Sequence, residues 1–125
     1  MAVKTISTTI AASLMTVAHL ASAHHSGSMF DRSKTVTLEG YVLEYQFQNP
    51  HTWIEIIVSD EDGNETQWSI EGETRRTMTR IGLGYTKLAP GDEVTIRAHP
   101  LRDGRTGGVF IDIRLPDGTT VRAGG

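Results

Sequence analysis

An all-β fold is predicted for this chain, a small closed barrel of five to six short strands carrying one short helix, and three observations lead there. Apolar and polar residues alternate in short segments separated by turn signals such as Asp62-Gly63, Pro90-Gly91 and Asp117-Gly118. Thirteen glycines, few aromatics and 38% hydrophobic residues suit a turn-rich β domain better than a helical bundle or a disordered chain. A single helical pattern interrupts the strands, between the third and the fourth. At 125 residues the chain holds one domain, with one small core.

The first 23 residues are read as a secretory signal: one early cation at Lys4, an acid-free apolar run over residues 6–20, and the small-residue ending Ala21-Ser22-Ala23. Cleavage there would make His24 the mature N-terminus and place the protein in the periplasm or outside the cell. The segment is too short and too rich in threonine and serine to be a good permanent membrane span. Residues 24–34 form an N-terminal arm and residues 35–125 the barrel.

Residues 35–47 give the first strand. Val36 and Leu38 share one parity, Tyr41, Leu43, Tyr45 and Phe47 the other, and Gly40 marks the switch, where a strand can bulge or coil. Asn49-Pro50-His51 breaks the run, because proline cannot donate to a ladder and restricts its predecessor. Residues 52–59 and 65–71 make a hairpin around Asp60-Glu61-Asp62-Gly63-Asn64. Thr74 is an N-cap for a short helix that Gly82 and Gly84 end. After the Pro90-Gly91-Asp92 turn come a strand over residues 93–98, a polar connection over 99–108, a strand over 109–115 and a last short strand over 119–122. Three strands, a helix, then two or three strands, with an over-long coiled first strand, is the order of an OB-like Greek-key barrel. An open β-sandwich is the alternative.

The chain has no cysteine, so disulfides, thiolate metal sites and cysteine nucleophiles are all excluded. Its net charge is −3, and loss of Lys4 with the leader makes it one unit more negative, which argues against nucleic acid as a partner. Four histidines remain in the mature chain: His24, His25, His51 and His99. A terminal His24 offers its amine and its ring to one ion, and His25, His51 or His99 would complete a nitrogen-rich set. That donor set suits copper(II), with zinc as the second choice. In an OB-like barrel the connections after strands one and four flank one face, which would make His51 and His99 neighbours. Each is stiffened by a proline, Pro50 or Pro100. The plain alternative is that these are solvated turn residues.

Other signals are weaker. The Asp60–Asn64 stretch begins like a calcium loop, but Glu71, at its twelfth position, falls inside a strand, and a hairpin turn is the simpler reading. Glu71 and Glu73 could serve as an acid/base pair, though alternating carboxylates at this spacing usually mean one face of an exposed strand. Arg75, Arg76 and Arg80 form a basic patch on the short helix that reads as solubilising, with anion binding as the alternative. Trp53 and Trp68 read as core residues rather than a ligand platform. Asn64-Glu65-Thr66 matches a glycosylation sequon, and no serine has a nucleophile-elbow context.

The His24-His25-Ser26 arm, Leu38-Glu39-Gly40, Asn49-Pro50-His51, Trp68-Ser69-Ile70-Glu71 and Leu88-Ala89-Pro90-Gly91-Asp92 together resemble a family of small exported bacterial proteins of unknown function. The resemblance covers nearly all of residues 24–115 and implies a periplasmic β domain; parts of the body also look like bacterial periplasmic OB-fold proteins. Neither brings an established activity. The expectation is an exported barrel whose histidine cluster binds copper or another divalent metal for transport, buffering or delivery. The alternative is a non-metal module for a small ligand, peptide or envelope partner. Nothing in the sequence marks catalysis.

Overall fold

A computed structural model describes residues 29–124. The expected leader and the histidines His24 and His25 lie outside the described residues. Six strands and one helix follow in order: β1 Val36–Gln46, β2 Trp53–Ser59, β3 Glu65–Glu71, α1 Arg75–Arg80, β4 Glu93–Pro100, β5 Gly107–Arg114 and β6 Thr120–Arg122. They form one sheet in the order β3-β2-β1-β4-β5-β6, and a parallel pairing of β3 with β5 closes the first five strands into a barrel. This is the OB-like Greek-key order, with α1 between β3 and β4 and β6 added outside the ring.

β1 is long because it serves two partners. Residues 36–41 pair with β4 and residues 40–46 with β2. Both neighbours meet the strand at Gly40, where a Cβ would sit 2.0 Å from the Ile57 carbonyl oxygen. The expected parity switch, however, lies three residues later. Leu38, Val42 and Tyr45 are the buried residues of β1, and the register slips between Val42 and Glu44. Leu43 is therefore a bulge residue and is 44% exposed. Gly40 is needed for close approach of backbone, not for the switch.

The core is filled by aliphatic side chains from all five barrel strands, among them Val42, Ile54, Ile56, Ile70, Ile96 and Ile113, each fully buried. Met78 of α1 and Leu83, just beyond it, plug one end and are also fully buried. The Tyr45 hydroxyl donates to the Leu83 carbonyl at 2.7 Å, and burial pushes that phenol up to about 12. α1 starts where expected: the Thr74 side chain accepts from the Thr77 amide at 3.2 Å, and Gly82, at φ +98°, follows the C-cap Ile81.

The boundaries of β4 and β5 differ from the sequence reading. β4 continues through His99 and Pro100, and β5 begins at Gly107, so the polar connection shrinks to residues 101–106. Gly107 and Gly108 are packing positions. A Cβ on Gly107 would lie 2.8 Å from the Leu101 side chain, and one on Gly108 2.6 Å from the His99 carbonyl oxygen. No helix among the described residues is long and apolar enough to cross a membrane.

Gly40→Ala should destabilise the protein by about 2–3 kcal/mol or prevent folding, since backbone rather than a flexible side chain blocks the methyl group. Gly84→Ala, whose Cβ would meet nothing nearer than 3.9 Å, should stay within about 0.5 kcal/mol of the parent. Urea unfolding midpoints of the two variants provide the comparison.

Candidate functional site

His51 lies in the connection between β1 and β2, after a cis Asn49–Pro50 bond. Its neighbour Thr52 holds it in place. Thr52 is fully buried, donates to the Glu73 carbonyl from both its amide (3.0 Å) and its hydroxyl (2.9 Å), and accepts from the Gly72 amide at 2.8 Å. This clasp brings His51 Nδ1 to 3.3 Å from the Gly72 carbonyl oxygen and 3.4 Å from Glu71 Oε1.

His99 is not in a loop but in β4. Ile96 and Ala98 alternate with Arg97 and His99, and the first pair is fully buried, so His99 faces the outside of the barrel. Its Nδ1 is 2.7 Å from the Lys34 carbonyl oxygen. Lys34 ends a tight turn in the arm: its amide donates to the Asp31 carbonyl at 3.1 Å, and the Ser33 hydroxyl donates to Asp31 Oδ1 at 2.6 Å. The Ser33 hydrogen bond is the largest cause holding the Asp31 carboxyl below its ordinary range; Arg102 and Lys34 add to it. Phe30 bridges Leu101, the Asp31 amide donates to the Pro100 carbonyl at 2.8 Å, and the Arg102 amide to the Met29 carbonyl at 2.9 Å.

Both imidazoles are thus oriented in the same way. A carbonyl oxygen can only accept, so each Nδ1 must carry its proton, and a neutral ring then has its lone pair on Nε2. The two rings do not converge, however. Cross-strand partners run from His99 to Val109 and from Glu71 to Val109, so β5 separates His99 from the Glu71 beside His51. Two strand spacings amount to about 10 Å. Among the described residues no group of three or more histidine, aspartate or glutamate side chains could hold a metal ion.

The outer face also carries buried carboxylates that sequence spacing did not single out. Glu55, 8% exposed, accepts from the Ser69 hydroxyl at 2.6 Å and from Gln67 Nε2 at 3.1 Å. Glu55 pairs with Glu44 across β1–β2 and with Ser69 across β2–β3, and Trp53 pairs with Gln46 and Glu71. Trp53 is therefore an outer-face residue and only half-buried, contrary to its reading as core, whereas Trp68 does pack against the core. The Asp60–Asn64 stretch is a hairpin turn in which Asp60 Oδ1 accepts the Asp62 and Asn64 amides at 2.9 and 2.8 Å. On β4 and β5, Arg97 Nε donates to Asp112 Oδ1 at 2.9 Å and Nη2 to Oδ2, with Arg122 Nη2 3.3 Å from Oδ2. Asp112 is 4% exposed, and its carboxyl is held below its ordinary value of 3.8, chiefly by the Arg97 hydrogen bonds.

A family model described as "Family of unknown function (DUF6152)" matches residues 11–111. No curated protein and no solved structure matches the chain significantly.

Because the folded state depresses the Asp112 pKa, this carboxylate contributes stability that is fully present above pH 3.8 and lost as pH falls through the lower folded value. Asp112→Asn should therefore cost about 1–3 kcal/mol at about pH 7, leaving Arg97 without its charge partner. The gap between variant and parent should narrow at about pH 2.5. Denaturant unfolding at the two pH values measures it, and a constant gap would mean the charge is not responsible.

Proposed function

The chain belongs to the DUF6152 family, whose function is unknown, and from that premise we propose that it is an exported, periplasmic β-barrel that binds a divalent transition metal, copper(II) before zinc, for transport, buffering or delivery. The mature N-terminus supplies the His24 amine and the imidazoles of His24 and His25. One barrel imidazole completes the set, His99 first or His51 in its place, since the two rings do not converge on one ion. The observation that carries this reading is the shared orientation of the two barrel histidines. Each Nδ1–H is anchored on a carbonyl oxygen, the outer-shell contact that fixes tautomer and ring plane in metal-ligating histidines, and each Nε2 is the ligating atom.

Chain length supports His99 as the nearer partner. The arm joins the barrel at Phe30, which bridges Leu101, two residues from His99. The five residues from Met29 back to His24 span at most about 17 Å when extended, and because Met29 lies opposite Arg102 the arm has to turn back to bring His24 to the His99 ring. Amine plus imidazoles is a tetragonal donor set, and copper(II) heads the divalent affinity order. A second reading, a non-metal module for a small ligand, peptide or envelope partner, rests on Trp53, which stands half-buried on the outer face beside Glu71.

Copper(II) titration followed by visible absorption and electron paramagnetic resonance tests the proposal. Protein beginning at His24 should bind at least about tenfold more tightly than the same protein with its α-amine acetylated, because the amine is then lost as a ligand. His99→Ala should weaken binding by about tenfold or more and change the nitrogen hyperfine pattern, while circular dichroism shows the barrel intact. Equal affinities and identical spectra across all three proteins would refute the metal reading.

A further inference from the structure

A pocket of about 490 Å³ opens between the C-terminal end of α1, the connection that follows it and β6. Three cations from three separate elements line it: Arg80 from the last turn of α1, Lys87 from the connection and Arg122 from β6. Thr119 and Thr120 add hydroxyl groups, and no lining residue is acidic. In a chain of net charge −3 this is a local inversion of sign. The larger surface groove, by contrast, mixes Glu39 and Glu93 with Arg114.

Two of the three cations are free of ion pairs among the described residues. Arg80 makes no ion pair among the described residues, and Lys87 is not within ion-pair distance of any carboxylate among them. Arg122 has one partner, Asp112, but Arg97 already occupies both oxygens of that carboxylate, and the Arg122 side chain is 66% exposed. Asp117, the acid whose charge Lys87 influences, accepts the Thr119 amide at 2.8 Å and is also hydrogen-bonded by the Thr119 side chain. Two guanidinium forks, an ammonium and the Thr120 hydroxyl exceed what a single carboxylate needs, but they suit the three oxygens and double charge of a phosphate group. Ile81 and the buried Val121 give the pocket an apolar wall, and its volume lies within the range of small-molecule sites.

We propose that this pocket is a binding site for a phosphomonoester, with Arg80 and Arg122 on the phosphate oxygens, Lys87 balancing the second charge, and Thr120 as a hydrogen-bond donor. The organic part of the ligand rests against Ile81 and Val121. The site is separate from the histidines and stands whether or not the protein binds metal.

The test uses amide-resolved NMR of the folded protein titrated with inorganic phosphate and with glycerol 3-phosphate, and sedimentation with vesicles of phosphatidylcholine alone or with phosphatidic acid. Saturable shifts at residues 80–82 and 119–122 are expected with glycerol 3-phosphate, weakening at higher salt. The exposed-surface double variant Arg80→Gln/Lys87→Gln should lower that affinity by about tenfold or more. Arg75→Gln/Arg76→Gln removes the same charge from the other end of α1 and should leave it unchanged. Soluble ester binding without vesicle binding assigns a free metabolite. Sedimentation with phosphatidic acid vesicles that the first double variant abolishes assigns a lipid headgroup bearing the same phosphate chemistry. No saturable response to any of these probes, or equal loss in both double variants, overturns the proposal.

Discussion

Barrel closure depends on β1 holding two neighbours at once, β4 along its first half and β2 along its second. Only a strand that coils strongly can do this, and the coil brings the backbone of β2 to within 2.0 Å of where a Cβ on Gly40 would be. The β3–β5 parallel pairing that completes the ring follows from it, since β2 carries β3 and β4 carries β5 to the far side. The bulge at Leu43 then re-phases the strand, so that Val42 and Tyr45 both point into the core. Without the bulge, Tyr45 would lose the Leu83 carbonyl and the helical plug would lose its anchor.

Elements defined by local chemistry were legible in the sequence. Alternation marked β2 and β3, Thr74 announced the start of α1, and Pro90-Gly91-Asp92 gave the turn in which Gly91, at φ +90°, hands its amide to the Val42 carbonyl. What escaped was decided by contact between distant segments. Gly107 and Gly108 read as loop because glycine is a turn former, yet they are there because Leu101 and the His99 backbone lie against them. Leu43 shares its parity with Tyr45 in the sequence yet stands exposed while Tyr45 is buried, because a bulge leaves no mark on the chain's own pattern. The same rule holds at the candidate site. The four histidines could be counted in the sequence, but the strand position of His99, the Lys34 carbonyl behind it and the β5 strand beside it come only from register.

The barrel's outside is electrostatically divided. Around Trp53, in neighbouring β1, β2 and β3, the cross-strand partners include Glu44, Glu55 and Glu71, with Glu55 and Glu71 sunk among neutral donors and His51. At the opposite end of the strand order, the added strand β6 gathers Arg122 and Thr120 near Arg80 and Lys87. β6 is not part of the closed ring. It contributes Val121 to the core and otherwise shapes a surface. A fold that buries a small aliphatic core leaves most of its polar residues outside, and their grouping by sign is what distinguishes one barrel of this kind from another.

The Phe30–Leu101 bridge turns the arm into a short tether. Phe30 is 3% exposed, so the tether's fixed end is part of the barrel rather than a fraying terminus. In the proposed metal site, a ligand carried on the chain upstream of this point would act near the barrel at an effective concentration in the millimolar range. A weak ligand on such a leash competes with free ligands in bulk solution. Lengthening the arm would dilute it without touching any contact in the barrel.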